Sequence, residues 1–199
     1  SAPFEPGDVY QQSKVDGERL ALEVFRTGRV RGVVIRPAMI YGPGDTRTGK
    51  IFRMISKGVF FYVGRGGNLV HFIDVRDLAR AFLLAMDKTE INAEAYIIAG
   101  EKTLSLREFC EIVAGHLGVK PPWLRVPVKP MQWAGSLCEA ICLPLGISPP
   151  LYRRRVDFFT KDRSFNSAKA QRELGFTPAQ APEQEVAGEL SDYKERGWL

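Results

Sequence analysis

Val30-Arg31-Gly32-Val33-Val34-Ile35-Arg36-Pro37-Ala38-Met39-Ile40-Tyr41-Gly42-Pro43-Gly44 is a β-branched apolar run that stops at a proline and opens into a glycine-rich loop. A run that is apolar on both faces suits a strand of a parallel sheet covered by helices on both sides. Open α/β sheets bind ligands in the crevice at the carboxyl ends of such strands, so the segment after Pro37 is the first candidate site. Working outward, residues 30–36 and 94–99 read as sheet strands, and Val9–Arg26 and Val75–Asp87 as the helices that cover them. The first helix opens on Pro6-Gly7 and on Asp8 with Gln11, a stop followed by a capping signal. Its first turns carry Tyr10-Gln11-Gln12-Ser13-Lys14. Tyr-x-x-x-Lys on a helix places a phenol and an ammonium on one face, one turn apart. An ammonium there favours the phenolate and makes the hydroxyl a usable general acid or base. The spacing alone arises easily by accident and draws its weight from its surroundings.

The remaining segments have a different character. Residues 49–57 read as a helix, 60–63 and 69–73 as short strands, and 105–117 as an amphipathic helix with Ser105 and Glu108 as a capping box. Residues 123–126, between prolines, suit an edge strand. Helical patterns follow over 131–143, 151–159, 167–174 and 183–196. Gly118 ends a helix as a C-cap, and His116 beside it suits the helix dipole.

Composition bounds the function classes. The chain is 45% hydrophobic and 11% aromatic over 199 residues, enough for one domain or slightly more. Three cysteines without framework spacing point to a reducing compartment, and the expected location is cytoplasmic. Cys138 and Cys142 stand one turn apart, a packing pattern with no further ligands nearby, so no metal site is expected. The apolar stretch 131–145 falls short of the roughly 20 residues of a membrane span. The net charge of +5 is scattered apart from Arg153-Arg154-Arg155, and no nucleic-acid-binding motif accompanies it. The expected partner is a small-molecule substrate, without nucleic acid and without a membrane span.

Four motifs in order carry a resemblance: Tyr10-x-x-x-Lys14, Arg36-Pro37…Tyr41-Gly42-Pro43, Phe72-Ile73-Asp74-Val75-Arg76-Asp77-Leu78-Ala79-Arg80-Ala81, and the tail Phe165 to Pro178. Together they resemble the extended short-chain dehydrogenase/reductases, the NAD-dependent epimerase/dehydratase superfamily. The resemblance covers essentially the whole chain. It implies an α/β fold: the C-terminal part of a doubly wound NAD(P)-binding Rossmann domain (residues 1–47 and 70–100) with a small, mostly helical α+β substrate-binding lobe (48–69 and 101–199). The family's glycine-rich pyrophosphate turn and the Ser or Thr upstream of its tyrosine are not found here. Gly64-Arg65-Gly66-Gly67 runs into a strand rather than a phosphate-binding helix. The expectation is therefore a C-terminal piece of a longer enzyme, one that does not by itself bind NAD or NADP.

By the same resemblance, Tyr10 moves the proton, and Lys14 tunes it and holds the nicotinamide ribose. Tyr10, Lys14, Pro37, Ala38, Met39 and Ile40 contact the cofactor, NAD or NADP, and Tyr41, Arg65 and His71 are candidate substrate contacts. Tyr41 reads equally as loop packing, and His71 reads first as a surface histidine; Asp77 is expected to cap or anchor its helix. In nucleotide-sugar enzymes of the family an arginine grips the diphosphate, and Val70 stands at that position here. Valine cannot supply the bidentate donors a phosphate needs. With the apolar stretch 133–145, that points to a sterol-like substrate of the 3β-hydroxysteroid dehydrogenase-like branch. Arg65 is the residue that would rescue a diphosphate. The alternatives are a nucleotide-sugar epimerase or dehydratase and a non-catalytic dinucleotide sensor; a homodimer is expected for the full-length enzyme.

Overall fold

Backbone hydrogen bonding sorts the strands into a parallel sheet region and a smaller lobe. A computed structural model describes residues 9–142, 144–147 and 159–199; the expected Asp8 cap, most of the 151–159 helix and the three-arginine run lie outside the described residues. Strand β1 (Val33–Pro37) pairs in parallel with β6 (Glu94–Ile98), and β2 (Met39–Tyr41) pairs in parallel with β5 (Phe72–Asp74). The chain changes partner at Ala38. Its N–H donates to the Ile98 carbonyl at 2.8 Å, and the next N–H, of Met39, donates to the His71 carbonyl at 3.0 Å. Gly100, just past β6, donates to the Phe72 carbonyl at 2.8 Å and closes the other side of β5.

The covering helices follow from local signals. Helix α1 (Val9–Arg26) lies on β1 through the Arg36–Glu18 ion pair, and Asn92 Nδ2 donates to the Phe25 carbonyl at 2.8 Å. Its burial is shallow, with no residue fully buried. The first strand begins at Val33, not at residue 30, because Gly28 in the left-handed region (φ 74°) ends α1 and the chain needs the next residues to turn back. Helix α3 (Val75–Asp87) is capped by Asp74, whose carboxylate accepts from the Arg76 N–H at 2.7 Å. Asp77 anchors instead: it accepts from the Ala179 N–H at 2.8 Å and pairs with Arg80.

In the lobe, α2 (Thr46–Ser56) starts earlier than the pattern suggested because Asp45 caps it, accepting from the Arg47 and Thr48 N–H groups. The single strand expected over 69–73 is two. Strand β4 (Leu69–Val70) runs antiparallel to β7 (Leu104–Ser105), and the chain pivots at His71 into β5. Short β3 (Tyr62–Val63) pairs in parallel with β8 (Arg125–Val126). Helix α4 (Leu106–Leu117) carries the expected Ser105–Glu108 capping box and the left-handed Gly118 cap. Among the described residues, helices α5 (Val128–Cys142), α6 (Ala168–Leu174) and α7 (Pro182–Glu195) follow. Pro130 is tolerated because it sits in the first turn of α5, and Pro182 opens α7.

Two apolar clusters hold these parts. One joins Phe52 and Ile55 of α2, Phe109 and Val113 of α4, and Val186, Leu190 and Tyr193 of α7. The other joins Tyr96 and Ile98 of β6 to Leu78 and Ala81 of α3 and, across the length of the chain, to Ala170 and Leu174 of α6 and Phe176. The C-terminal segment thus returns to the parallel sheet.

Gly100 is required by a close approach: a Cβ there would lie 2.7 Å from the Phe72 carbonyl oxygen. Gly100→Ala is expected to lower stability by about 1–3 kcal/mol, the range for overpacking. Gly115→Ala, at an open helical position, is expected to raise it by about 0.5–1 kcal/mol. Urea midpoints of the two variants against wild type check the contrast.

Candidate active site

Just past the carboxyl end of β1 the chain opens onto a cleft of about 580 Å3. One wall is Ala38, Met39 and Ile40, the residues directly after Pro37, with Phe72 of β5 beside them; the other is Asp45, Arg47, Thr48 and Ile51 of the α2 turn, and Phe159 joins the lining. The partner switch at Ala38 is what turns this backbone toward the opening. The lining is mostly apolar, with its polar groups gathered at the start of α2. There Arg47 Nε stands 3.2 Å from Asp45 Oδ1, and Thr48 Oγ1 donates to the same carboxylate. Burial alone would raise the Asp45 carboxyl, but hydrogen bonds from Thr48 and Arg47 outweigh it and hold the group below the usual carboxylate range.

Tyr10 and Lys14 share one face of α1, as the spacing requires. The Lys14 ammonium lies 5.4 Å from the centroid of the Tyr10 ring, a cation–π arrangement, and Tyr10 is 61% exposed. Neither residue lines the cleft beside β2. Pro37 is exposed at the end of β1.

The three expected substrate contacts separate. Arg65 is exposed and lines a different cleft of about 320 Å3 with Gly64, Gly66 and Asn68. His71 is buried rather than at the surface. Its Nε2 lies 3.0 Å from the Gly100 carbonyl, which can only accept, so Nε2 carries the proton. Its Nδ1 accepts from the Phe165 N–H at 3.2 Å and faces Thr103 Oγ1 at 3.1 Å. Both ring nitrogens are committed to the fold, because the pivot between β4 and β5 turns the imidazole inward. Tyr41 is also buried, outside the cleft lining, and donates to Glu185 Oε2 at 2.5 Å.

Glu185 belongs to a group the sequence reading passed over. On α7, Glu185 and Glu189 point into the core with Val186, Leu190 and Tyr193. Their spacing, one turn apart on the apolar face, was the available signal. Glu185 faces Tyr41, Asp74, Asp77 and Arg76, and Glu189 faces Tyr193, Asp45, Asp74 and the Gly42 amide. Oε1 of Glu185 and Oε2 of Glu189 have no hydrogen-bond partner among the described residues. Burial, with neighbouring carboxylates adding to it, pushes the Glu185 carboxyl up to about 7 and that of Glu189 up to about 8. Burial and the Glu185 charge likewise push the Tyr41 phenol far above its ordinary value, so it serves as a donor and not as an acid.

Comparison with known proteins agrees with this architecture. Residues 1–99 match the model of the NAD dependent epimerase/dehydratase family, and this part of the chain carries that family's domain. It is 34% identical over 200 residues to short-chain dehydrogenase/reductase family 42E member 1 of Danio rerio, covering 89% of this chain and 52% of the relative. It is 29% identical over 198 residues to 3beta-hydroxysteroid-dehydrogenase/decarboxylase isoform 2 of Arabidopsis thaliana, covering 88% of this chain and 34% of the relative. A crystal structure of a nucleoside-diphosphate-sugar epimerase from Pseudomonas aeruginosa superposes with a TM-score of 0.72 at 22% identity, over 100% of this chain and 60% of that one; this likeness shows the fold. The chain spans about half, or less, of the length of the two curated relatives.

The raised carboxyls give stability a defined pH dependence. An unfolded glutamate ionises near 4.5, whereas these two keep their protons to about 7 and 8 when folded. Their contribution is complete below the unfolded value and is lost as pH rises through the folded ones. Stability is expected to fall by several kcal/mol between pH 5 and pH 9, each group contributing up to about 1.4 kcal/mol per pH unit. In Glu185→Gln/Glu189→Gln that slope is expected to flatten, as read from denaturant midpoints across the range.

Proposed function

We propose that this chain forms the catalytic-tyrosine and substrate-binding part of an NAD(P)-dependent oxidoreductase acting on a secondary alcohol or ketone. The observation that carries the reading is the apolar cleft just past the carboxyl end of β1, walled by Ala38, Met39 and Ile40, in a chain that also presents Tyr10 and Lys14 on one helical face. Its volume suits a nicotinamide end together with a small ligand body, and its mostly apolar wall suits an uncharged ring. Ala38, Met39 and Ile40 would hold that end, with Lys14 toward the ribose. When bound, the dinucleotide supplies hydride transfer.

The protein's own part is proton transfer and positioning. Tyr10 exchanges a proton with the substrate oxygen as the carbon is oxidised or reduced, and the Lys14 ammonium stabilises the phenolate left behind. The apolar wall keeps water from the reacting carbon. Val70, where a diphosphate-gripping arginine would stand, is fully buried in β4, so no cation reaches the ligand from there. This supports an uncharged, sterol-like alcohol over a nucleotide sugar.

Two measurements on the whole enzyme test the reading. Tyr10→Phe is expected to lower turnover by at least about 100-fold with cofactor affinity kept, while Lys14→Ala damages both. More than about a tenth of the wild-type rate in Tyr10→Phe removes the tyrosine from the chemistry. In thermal-shift screening with cofactor present, apolar alcohols are expected to stabilise the enzyme more than nucleotide sugars. Stabilisation by a nucleotide sugar that disappears in Arg65→Ala would reverse the substrate assignment.

A further inference from the structure

One face of α7 touches the loop that forms the rim of the cleft at successive points. Tyr41 at the start of the loop donates to Glu185, the Gly44 N–H donates to Asp192 Oδ2 at 2.9 Å, and the Tyr193 hydroxyl lies 2.8 Å from the Asp45 carbonyl oxygen. Asp45 is the residue on which the cleft wall turns, because its side chain caps α2 and its carbonyl also accepts from the Gly49 N–H at 3.1 Å. Gly49 gives Tyr193 room: a Cβ there would lie 3.3 Å from the ring.

The protons do not balance with every group in its ordinary state. The Tyr193 hydroxyl is within hydrogen-bond reach of two acceptors, the Asp45 carbonyl and Glu189 Oε1, yet it has one proton to give. If that proton goes to Glu189, the Asp45 carbonyl loses this donor. If it goes to Asp45, a charged Glu189 is left facing the phenol oxygen. Both contacts are made only when Glu189 carries a proton of its own, donates it to Tyr193, and Tyr193 donates onward to Asp45. The surroundings agree. Asp45 and Asp74 face Glu189 from the loop and from the start of α3, Glu185 lies one turn away on α7, and the opposing influences are the Tyr193 hydroxyl and the Gly42 amide. Thr48 approaches Tyr193 from α2. Arg76, which faces Glu185, is committed to Asp74 through two hydrogen bonds of 2.9 and 2.7 Å.

We propose that Glu189 and Tyr193 are positioning residues for the cleft: a protonated Glu189 donates a hydrogen bond to the Tyr193 oxygen, leaving the Tyr193 hydroxyl to donate to the Asp45 carbonyl and so fix the α2 wall, and ionisation of Glu189 releases that wall. The placement of the cleft at the catalytic centre rests on the function proposed above; the relay itself does not. Ionisation turns Glu189 from donor to acceptor, so the Tyr193 proton turns toward it and away from Asp45. The α2 turn carrying Arg47, Thr48 and Ile51 then loses its hydrogen bond to Tyr193 of α7.

Amide hydrogen exchange on the full chain tests the relay without requiring turnover. Protection of the Gly44 and Gly49 amides, corrected for intrinsic exchange and referenced to the α4 amides, is compared at pH 6 and pH 9.5. Wild-type protection is expected to fall at least tenfold at the higher pH while α4 holds. Glu189→Gln, whose amide donates at every pH, is expected to abolish the step, and Tyr193→Phe to show low protection at both. A wild-type profile without the step, a step retained in Glu189→Gln, or full protection in Tyr193→Phe overturns the proposal. Should Glu189→Gln fail to fold, the wild-type step and Tyr193→Phe decide it. In the active enzyme KM is expected to rise with pH across the same range in wild type and not in Glu189→Gln. Absence of any turnover refutes the oxidoreductase reading and leaves the exchange result standing.

Discussion

The backbone at Ala38 and Met39 is the hinge of this architecture. A buried strand must pair its N–H and C=O groups, and here one strand satisfies β6 up to Ala38 and β5 from Met39 onward. The switch sends residues 38–40 along the mouth of the sheet instead of continuing beside β6. It also brings β5, and the cap of α3 at its end, against the loop that leads to α2. The cleft is the space left between these two directions.

The second organising feature is the return of the C-terminal segment. Helix α6 packs its Ala170 and Leu174 on the core of the parallel sheet, while α7 packs on α2 and α4. Residues far apart in sequence thereby share one rim: Asp45 from the loop after β2, Asp74 and Asp77 from the start of α3, Glu185 and Glu189 from α7. Five carboxyl groups in so small a volume are sustainable only with guanidinium partners and with some groups kept neutral. Arg76 and Arg80 neutralise the outer two. Burial keeps the inner two protonated near neutrality. The same economy that holds the lobe to the sheet therefore makes the rim responsive to pH.

How much of this was legible in the sequence depended on the range of the interaction that decides each residue. The helix bearing Tyr10 and Lys14, the Ser105–Glu108 capping box and the Gly118 cap are settled by neighbours within a turn or two, and their reading needed nothing more. The wall of Ala38, Met39 and Ile40 followed from a strand end, a rule about where parallel sheets open. The early start of α2 was legible too, since Asp45 and Thr48 have the spacing of a cap, although Gly49 drew attention away from it.

Other features belonged to the tertiary structure alone. One apolar run, residues 69–73, became two strands because its halves found different partners, β7 on one side and β2 on the other. The pivot between them buried His71, whose two nitrogens are occupied by Gly100, Phe165 and Thr103. Tyr41 could face the cleft or the core until Glu185, 144 residues away, supplied its acceptor. The sequence by itself determined the α/β pattern, the helix carrying the tyrosine and lysine, and the strand end that opens the cleft, because these depend on periodicity and capping along a few residues. Which polar side chains became buried, and which of them hold protons, depended on contacts between segments distant in the sequence, and only the packed chain decides those.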